Sequence, residues 1–431
     1  MRAAAPFNTR CRLIMAQLSD DCFAFGGELM TTDTALSELR NRLSCVCDTE
    51  EVALANAAGR ILAKDLVSSQ AVPGHDNAAV DGYAVFFDDL SENSETTLPV
   101  TGCIAAGHPL NGNAQRGNAY RIFTGAPMPE GPDTILMQED CNLSGETVTI
   151  PPGIKRGANR RFAGEDIAAD DTILTKGQRL RPQEIGLAAS IGQKALTVYT
   201  PLRVALFSTG DEVRDVGETL TPGSIYDANR YSIAALLHEL GCNVDDLGIL
   251  PDEHDVIRDA LGKAADDHDV IITSAGVSTG EEDHIRNAIE DLGGIHFWRL
   301  AIRPGRPIAL GQIGAVPFIG LPGNPVASMV TFMRFARPAL LLMNGASDVD
   351  PKFYRVPAAF TYKKKQGRRE WVRAMLSVGE DGQLQAEKFS RSGAGILTSM
   401  VASDGLVELS EELTGVEAGN MVDFLPFNEV R

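Results

Sequence analysis

The sequence of 431 residues lacks several patterns that would define its class at once. No run approaches the roughly 20 apolar residues that a transmembrane helix needs, so we expect no membrane span. Basic residues are in deficit, since 39 Lys and Arg face 58 Asp and Glu, for a net charge of −19. Such a charge disfavours nucleic acid and anionic membranes as partners, and an anionic ligand would need arginines gathered locally.

Two common phosphate-binding fingerprints are also missing. The chain contains neither G-x-x-x-x-G-K-[ST] nor G-x-G-x-x-G. Nucleotide binding by these routes is therefore not indicated.

The cysteines form no recognisable framework. They stand at Cys11, Cys22, Cys45, Cys47, Cys103, Cys141 and Cys242. There is no Cys-x-x-Cys pair and no histidine spaced to complete a zinc site, so we expect reduced thiols in a cytoplasmic protein. Cys45 and Cys47 are expected on one face of a strand, which is poor geometry for a disulfide.

Patterns along the chain predict several domains. Residues 1–30 begin with an Arg-bearing, acid-free stretch that we expect to be an unpacked extension. A helix is predicted at 34–43, capped by Asp33, and another from Leu180 to Ile191, with Pro182 near its first turn. Residues 98–150 and 350–431 alternate short apolar runs with turn residues, which predicts mostly β units.

The stretch from 203 to 345 is the clearest part of the chain. Strands are predicted at 204–207, 244–250 and 270–273, helices at 230–240, 254–265, 284–292 and 326–342, and two further strands around 303–325. This alternation predicts a parallel sheet with helices on both faces. Ligands of such sheets bind at the carboxyl ends of the strands.

Carboxylates follow three of these strands directly. They are Asp211 and Glu212, Asp252 and Glu253, and Glu281, Glu282 and Asp283. Three acidic groups at one sheet edge would repel one another without a cation, and Mg²⁺ held by carboxylates and substrate phosphates fits that requirement. Arg299, Arg303 and Arg306 enter from the same edge and could hold phosphate oxygens.

Other segments add to an anion site, and one misleads. The helix start at Asn324-Pro325 offers N–H groups that suit a phosphate. Lys155, Arg156, Arg160 and Arg161 crowd into seven residues, which in so acidic a chain favours contact with an anion. G-V-S-T-G at 276–280 matches a hydrolase nucleophile elbow, but the acids that follow it would oppose an oxyanion. These patterns together predict an α/β enzyme that acts on a phosphorylated anion with Mg²⁺.

At these loops the chain resembles the molybdopterin molybdenumtransferases, the family that includes the last domain of gephyrin. The matching motifs are DNAAVDGYAV (76–85), RIFTGAPMPEG (121–131), GEDI (164–167), VALFSTGDE (204–212), IYDANR (225–230), LGILPDE (247–253), TSAGVSTGEED (273–283), FWRLAIRPGRP (297–307) and GLPGNPVAS (320–328). They occur in one order from about residue 33 to the end of the chain.

The resemblance implies an elongated, four-domain homodimer of α/β and mostly β units, around a doubly wound molybdopterin-binding domain. We predict an extension at 1–32, domain 1 (α+β, discontinuous) at 33–70 and 167–200, domain 2 (mostly β) at 71–166, domain 3 (α/β) at 201–347 and domain 4 (β) at 348–431. Domain 2 of one subunit is implied to face domain 3 of its partner.

The implied reaction inserts molybdenum from molybdate into adenylylated molybdopterin and releases AMP, with Mg²⁺. Implied catalytic residues are Glu212, Asp252 and Asp283, which are also the implied metal ligands, together with Asp81, Thr124 and Asp166 of domain 2. Implied substrate-binding residues are Ser208, Thr209, Gly210, Ser274, Gly276, Ser278, Arg161, Arg299, Arg303, Arg306, Pro322, Asn324 and Pro325. Implied partners, besides the pterin and a second copy, are other cofactor-biosynthesis proteins and apo-molybdoenzymes.

Some positions depart from the family pattern, and two alternatives stay open. Ala275 stands where the family has a second glycine, and Arg303 and Arg306 replace lysines of Lys-Pro-Gly-Lys-Pro. Ala78 and Val80 replace Ser and Met of Asp-Asn-Ser-Ala-Met-Asp. The alternatives are a molybdopterin adenylyltransferase, which is essentially the third domain alone, and a non-catalytic molybdopterin-binding scaffold.

Overall fold

The computed structural model describes residues 29–274, 284–305 and 308–430. The first stretch holds α1 (Thr32–Arg42), β1 (Thr49–Ala53) and β2 (Leu66–Val67). Then come β3 (Asn77–Ala78), β4 (Gly82–Val85), β5 (Thr96–Ile104), β6 (Ala119–Ile122), β7 (Thr134–Met137), β8 (Asn142–Ser144), β9 (Thr147–Ile150) and β10 (Arg160–Arg161). β11 (Thr172–Leu174), α2 (Pro182–Ser190) and β12 (Ala195–Tyr199) follow.

The second half of the chain begins with the α/β stretch. Its elements are β13 (Arg203–Thr209), β14 (Val213–Arg214), β15 (Ile225–Tyr226), α3 (Ala228–Glu239), β16 (Asn243–Leu250), α4 (His254–Asp267), β17 (Val270–Ser274), α5 (His284–Leu292), β18 (Gly293–Trp298), β19 (Ile302–Arg303), β20 (Ile308–Ile313), β21 (Val316–Leu321), α6 (Pro325–Thr331), a π-helical turn (Phe332–Ala336) and α7 (Arg337–Met343). The last elements are β22 (Tyr354–Pro357), β23 (Tyr362–Lys363), β24 (Arg369–Val378), β25 (Leu384–Lys388), α8 (Thr398–Val401), β26 (Gly405–Leu409), β27 (Gly415–Val416) and β28 (Met421–Pro426).

The α/β unit is built on a six-stranded sheet in the order β16-β13-β17-β21-β20-β18. The first four strands of this order are parallel, as the sequence predicts. The prediction of an all-parallel sheet is wrong for the last two, since β20 runs antiparallel to both β21 and β18. Ile313 pairs with Val316 across a two-residue turn, and so short a connection can join only antiparallel strands.

Helices cover both faces of this sheet, and the strands are buried accordingly. Val204 and Leu206 of β13 pack into one core with α3 and the helices α6 and α7. Ala205 and Phe207 point the other way, into a second core with α4 and α5. Alternation with a period of two places successive side chains of a strand in opposite cores. The central domain is therefore of the doubly wound α/β type that the sequence predicts.

The helix that closes the α/β unit runs without a break through Pro325–Met343. It is long and apolar enough to cross a membrane, yet 89% of its most apolar window is buried inside the protein. It is therefore a core helix of the protein. Its π-turn stands just before Pro338, whose ring removes a donor and crowds the preceding turn.

The remaining units are mostly β, as predicted. The unit around residues 77–161 carries a sheet in the order β7-β4-β6-β5-β9-β8, and the last unit carries β19-β24-β26-β28-β22. β1 pairs with β12 and β2 with β11, so the segments on either side of the 77–161 unit share one small core. Since β19 belongs to the α/β stretch and pairs with β24, it joins the α/β unit to the last one.

The start of the chain is packed more tightly than the sequence suggests. Residues 1–28 lie outside the described residues, but Met30 is 3% exposed and exchanges backbone hydrogen bonds with Arg299 and Ala301. The prediction that residues 1–32 form an unpacked extension is therefore wrong for Met30, which is packed. Helix α1, predicted as part of domain 1, packs against α7 and its Ala35 and Leu39 enter the main core. Its cap is Thr31, not Asp33.

Candidate functional site

A cleft of about 360 Å³ opens at the carboxyl ends of β13 and β17, beside the first turns of α3 and α6. It is lined by Ser208, Glu212, Val213, Ile225, Tyr226, Asp227, Ala228, Asn229, Ser274, Gly323, Asn324 and Pro325. Five of the predicted site residues, Ser208, Glu212, Ser274, Asn324 and Pro325, meet there. Its position is the one at which α/β sheets bind ligands.

Gly210 explains how Glu212 reaches this cleft. Its φ is +136°, and a Cβ at this position would lie 2.8 Å from Oε2 of Glu212 and 3.1 Å from Cγ2 of Val213. Only glycine accepts both this backbone conformation and this close approach. Gly210 therefore determines where the Glu212 carboxylate lies, and a larger residue at position 210 would displace that carboxylate.

Two hydroxyl groups at the end of β13 are buried without a partner among the described residues. Ser208 is 2% exposed and Thr209 1% exposed, and neither side-chain oxygen makes a hydrogen bond there. A buried polar atom without a partner is costly, and native structures usually keep one for a ligand or water. Ser208 lines the cleft, so its oxygen is available to a bound molecule.

Residues at the start of α3 form one wall of the cleft. They belong to the motif IYDANR (225–230), to which the sequence analysis assigns no role. Asp227 caps the helix by accepting from the Arg230 N–H at 3.0 Å, and Asn229 donates its amide to the Gly323 carbonyl at 2.7 Å. Arg230, 4% exposed, pairs with Asp227, Asp215 and Asp246. The start of α3 thus holds the 323–325 loop and the loop after β13 in one arrangement.

Of the three predicted acidic groups at the sheet edge, the first two interact electrostatically, and the third, at 281–283, lies outside the described residues. Burial, and the negative charges of Asp211 and Glu212, raise the pKa of Asp252 above its ordinary value, with His284 acting in the opposite direction. Like charges gathered in this way suit a hard cation, which favours oxygen ligands. Over residues 29–274, 284–305 and 308–430, however, no group of three Asp, Glu, His or Cys side chains is arranged to hold a metal. Two carboxylates plus substrate oxygens would fit Mg²⁺.

A second cavity, of about 210 Å³, lies between the α/β unit and the last β unit. Its lining includes four basic side chains, Arg303, Arg373, Lys388 and Arg391, and also Pro304, Gly305, Pro322, Asn324, Ala327, Tyr362, Glu370, Trp371, Val372, Phe389, Ser392, Gly393 and Ala394. We call it the basic pocket. Asn324 lines both it and the cleft.

Most of the polar side chains of the basic pocket are held by other groups. Arg373 is 7% exposed and donates to the Ser399 hydroxyl and the Gly393 carbonyl, each at 3.0 Å. Glu370 is 1% exposed and accepts from the Tyr362 hydroxyl and from Arg368, each at 2.7 Å, while Arg303 lies 3.6 Å away. The sequence reading missed every pocket residue of the last unit. The one signal available was charge at Glu370 and Arg373 inside an apolar strand.

Not every predicted cation or N–H group reaches these cavities. Arg299 is exposed and lines neither of them. At the start of α6 the Val326 N–H already donates to the Ala394 carbonyl at 2.9 Å, so this donor is not open to a phosphate. The expectation that the basic run faces a bound anion is wrong for Arg156 and Arg160. They pair with protein carboxylates, Arg156 with Asp88 and Asp133, and Arg160 with Asp76.

The predicted residues of the second unit form a separate group. Asp81 accepts from both the N–H and the hydroxyl of Thr124, each at 2.8 Å, and these bonds lower the pKa of Asp81. Asp166 and Arg161 are both exposed. None of these four residues lines the cleft or the basic pocket of the same chain.

Several predicted positions lie outside the described residues. They are Asp283, Gly276, Ser278, Arg306 and the departure from the family pattern at Ala275. Their predicted roles therefore stay predictions.

The fold and the two cavities define a class of protein. It is a multidomain α/β enzyme with an acidic cleft at the carboxyl edge of its sheet and a cationic pocket beside it. Comparison with known proteins then identifies the family. Models of the MoeA N-terminal region (domains I and II), the molybdopterin-binding domain and the MoeA C-terminal region (domain IV) match residues 30–192, 205–341 and 355–427.

Relatives match over nearly the whole chain. A molybdopterin molybdenumtransferase from Haemophilus influenzae is 37% identical over 93% of this chain and 100% of its own length. One from a Nostoc species is 34% identical over 90% of this chain and 92% of its own. The crystal structure of a molybdopterin biosynthesis MoeA protein from Pyrococcus horikoshii has a TM-score of 0.80 at 27% identity, covering 93% of this chain and 100% of that one.

The chain belongs to the molybdopterin molybdenumtransferase family. It is an enzyme of molybdenum cofactor biosynthesis, and the resemblance read from its motifs is confirmed. The adenylyltransferase alternative is not supported, since the family models match regions on both sides of the third domain. The scaffold alternative is not supported either, since the curated relatives are named as transferases.

Proposed function

We propose that this chain transfers molybdenum from molybdate into adenylylated molybdopterin, with hydrolysis of the pyrophosphate link and release of AMP. The observation that carries the proposal is the pair of adjoining cavities of opposite character, which share Asn324. One presents carboxylates and unpartnered hydroxyls, as a cation-bridged phosphate ester requires. The other presents guanidinium and ammonium groups, as a small oxyanion requires.

The cleft would take the pterin with its phosphates. Ser208 and Ser274 would donate to phosphate oxygens, with Thr209 beside them, and Asn324 and Pro325 would bound the cleft at the start of α6. Asn229 would keep the 323–325 loop in position through its bond to Gly323. Gly276 and Ser278 belong to the proposal on the family pattern alone.

Glu212 and Asp252, with Asp283 on the family pattern, would hold Mg²⁺ against the pyrophosphate. When bound, Mg²⁺ neutralises charge on the bridging and leaving oxygens of the pyrophosphate. The mutual repulsion that raises the pKa of Asp252 would then become attraction for the ion. Gly210 would leave room for the Glu212 carboxylate to reach it.

Molybdate would bind in the basic pocket. Arg303, Arg373, Lys388 and Arg391 would supply the charge, and Pro322 is also part of the lining. Gly305, where an added Cβ would lie 2.5 Å from Cγ2 of Thr331, lets the backbone at this residue pack close to α6. Arg299 and Arg306 remain candidates for phosphate or molybdate contacts on the family pattern.

The functional unit would be a homodimer in the cytoplasm. Asp81, Thr124, Asp166 and Arg161 lie away from both cavities of their own chain, so their proposed catalytic and binding roles require the cleft of a partner subunit. The bond network that fixes Asp81 against Thr124 would present one carboxylate oxygen in a defined position. Other cofactor-biosynthesis proteins and apo-molybdoenzymes are the proposed further partners.

AMP release tests this proposal. Purified protein is mixed with adenylylated molybdopterin and Mg²⁺, with and without molybdate, and AMP is measured. We expect AMP to appear in proportion to cofactor formed and to depend on both molybdate and Mg²⁺. Release of AMP without any dependence on molybdate would contradict a transfer reaction. Formation of adenylylated molybdopterin from ATP and molybdopterin would contradict the assignment altogether.

A further inference from the structure

We propose that Cys45 and Cys47 form a dithiol that closes reversibly into a disulfide, a modification site separate from both ligand cavities. The two residues lie in the connection between α1 and β1, which begins only at Thr49. The expectation of a strand at this pair is therefore wrong: residues 43–48 have no regular secondary structure. The geometric objection to a disulfide, which assumed a strand, does not apply to this segment.

The Cys45 thiol lies against Cys47. Its sulfur is 3.8 Å from the Cys47 carbonyl oxygen, and each thiol shifts the pKa of the other. The Asn344 amide donates to the Cys47 sulfur at 3.1 Å and to the Thr200 carbonyl at 2.8 Å. Since only the NH₂ end of the amide can donate to a carbonyl, the sulfur of Cys47 is an acceptor. Two cysteines separated by one residue in an irregular segment, with the sulfur of one held by Asn344, can reach bonding distance by local movement of this segment alone.

One member of the pair is the stronger nucleophile. Its hydrogen bond with Cys47 lowers the pKa of Cys45 to about 7, with the charge of Lys176 and a hydrogen bond from Tyr199 acting the same way. The same contact raises the pKa of Cys47, and the Asn344 bond opposes that rise. Because the thiolate is the reactive form, Cys45 reacts first.

Cys45 and Cys47 are both partly exposed, so a reagent can reach the pair from solvent. Cys47 lines a cavity of about 320 Å³ at the amino-terminal edge of the α/β sheet, opposite the edge that carries the cleft. Val46, Asp48, Glu50, Thr200, Pro201, Arg203, Asn243 and Asp269 complete the lining. Cys242 is less accessible than this pair, since it is 8% exposed. Burial raises the pKa of Cys242 to about 12.

Formation of the Cys45–Cys47 disulfide needs an oxidant, and a small-molecule disulfide, R–S–S–R, serves as one. The Cys45 thiolate attacks one sulfur, forms the mixed disulfide Cys45–S–S–R and expels one thiolate, RS⁻. With the charge on Cys45 gone, the contact that raised the pKa of Cys47 no longer acts, while the Asn344 bond remains. Cys47 then attacks the Cys45 sulfur, and its proton leaves with the second thiol. Two cysteine thiols are oxidised, and one disulfide is reduced to two thiols.

The test exposes the full-length protein to oxidised glutathione, then alkylates free thiols and maps the peptides by mass spectrometry. We expect the peptide holding both residues to lose two hydrogen atoms, to resist alkylation, and to recover both thiols on treatment with dithiothreitol. In Cys47→Ser we expect a glutathione adduct to accumulate on Cys45, because the resolving thiol is missing. In Cys45→Ser we expect no disulfide and little adduct at Cys47.

Cys103→Ser is the matched control, since Cys103 is exposed and lies in another unit. This variant should close the pair as the parent protein does. Thermal melts of each variant show whether it folds, so a folded Cys45→Ser protein that still loses two hydrogens from this segment would overturn the proposal. Full alkylation of both thiols after oxidation, or a stable adduct on Cys45 of the parent protein, would overturn it equally.

Discussion

The cleft and the basic pocket differ in how their residues are assembled. Most of the cleft comes from the ends of β13 and β17, the segment that leads from β13 to α3, and the helix starts of α3 and α6. The basic pocket combines Arg303 and Asn324 of the α/β unit with residues of β24 and the segment 388–394 of the last unit. The first is therefore a property of one domain, and the second exists only where two units meet.

Their charges differ in the same way. Burial, together with the charges of Asp211 and Glu212, raises the pKa of Asp252, whereas the basic pocket gathers cations around a single buried carboxylate, Glu370. A protein of net charge −19 thus keeps a local positive site by assembling it between units. If the two cavities bind different ligands, a substitution in one cavity should not alter how the rate depends on the concentration of the ligand bound in the other.

The largest effect is expected from Asp252→Asn, at the carboxyl end of β16, where the charge of Glu212 of the cleft acts on it. Removing one preorganised charge from a group that binds developing charge costs about 10²–10³-fold in rate, so AMP release should fall by that order at saturating molybdate. Steady-state AMP assays check this. The control is Asp255→Asn, an exposed residue of α4 whose partners are His254 and Arg258. Equal losses in both variants would mean that the effect is not specific to the cleft.

A smaller and more selective effect is expected from Arg391→Gln in the basic pocket. Loss of one charge-assisted hydrogen bond, about 1.5–3 kcal/mol, corresponds to roughly ten- to a hundredfold in affinity for an oxyanion. The molybdate concentration for half-maximal AMP release should rise by that factor, with the Mg²⁺ dependence unchanged. Arg355→Gln, on an exposed arginine of the same unit paired with Asp423, serves as control.

The buried carboxylate of the basic pocket should matter for stability. Glu370→Ala leaves the Tyr362 hydroxyl and Arg368 without their acceptor, which costs about 1–3 kcal/mol. Urea titration followed by tryptophan fluorescence measures the change, because Trp371 is 1% exposed beside this residue. Glu380→Ala, an exposed residue in the turn after β24, should be neutral. A stable Glu370→Ala protein would show that the pocket does not depend on this carboxylate.

The smallest effect concerns pH. A cation needs the ionised form of Asp252, and the raised pKa of this group means that activity falls at a higher pH than for an ordinary aspartate as the solution is acidified. Asp211→Asn removes one of the charges that raise this pKa, so the acid limb of the pH–rate profile should move to lower pH, by less than about one unit. Asp259→Asn should not move it. A shift to higher pH would contradict the electrostatic account.

What the sequence could predict follows the same division between the two cavities. β13, β16 and β17 are short apolar runs ending in small and acidic residues, so the strands, the sheet edge and Ser208, Glu212 and Ser274 could all be predicted locally. The antiparallel direction of β20 was not predicted because a strand buried on both faces has the same apolar pattern in either direction. Tyr362, Glu370 and Arg373 escaped because their pocket depends on contacts between distant parts of the chain. The ion pairs of Arg156 and Arg160 were missed for the same reason.

The most direct test of the two-cavity account titrates molybdate and Mg²⁺ separately, measuring AMP release in the parent protein, Asp252→Asn and Arg391→Gln. We expect Arg391→Gln to shift only the molybdate curve. Asp252→Asn should lower the rate and shift only the Mg²⁺ curve. The account would be wrong if Arg391→Gln shifted the Mg²⁺ curve as far as the molybdate curve, or if Asp252→Asn shifted the molybdate curve as far as the Mg²⁺ curve. Either result would mean that the two ligands share one site.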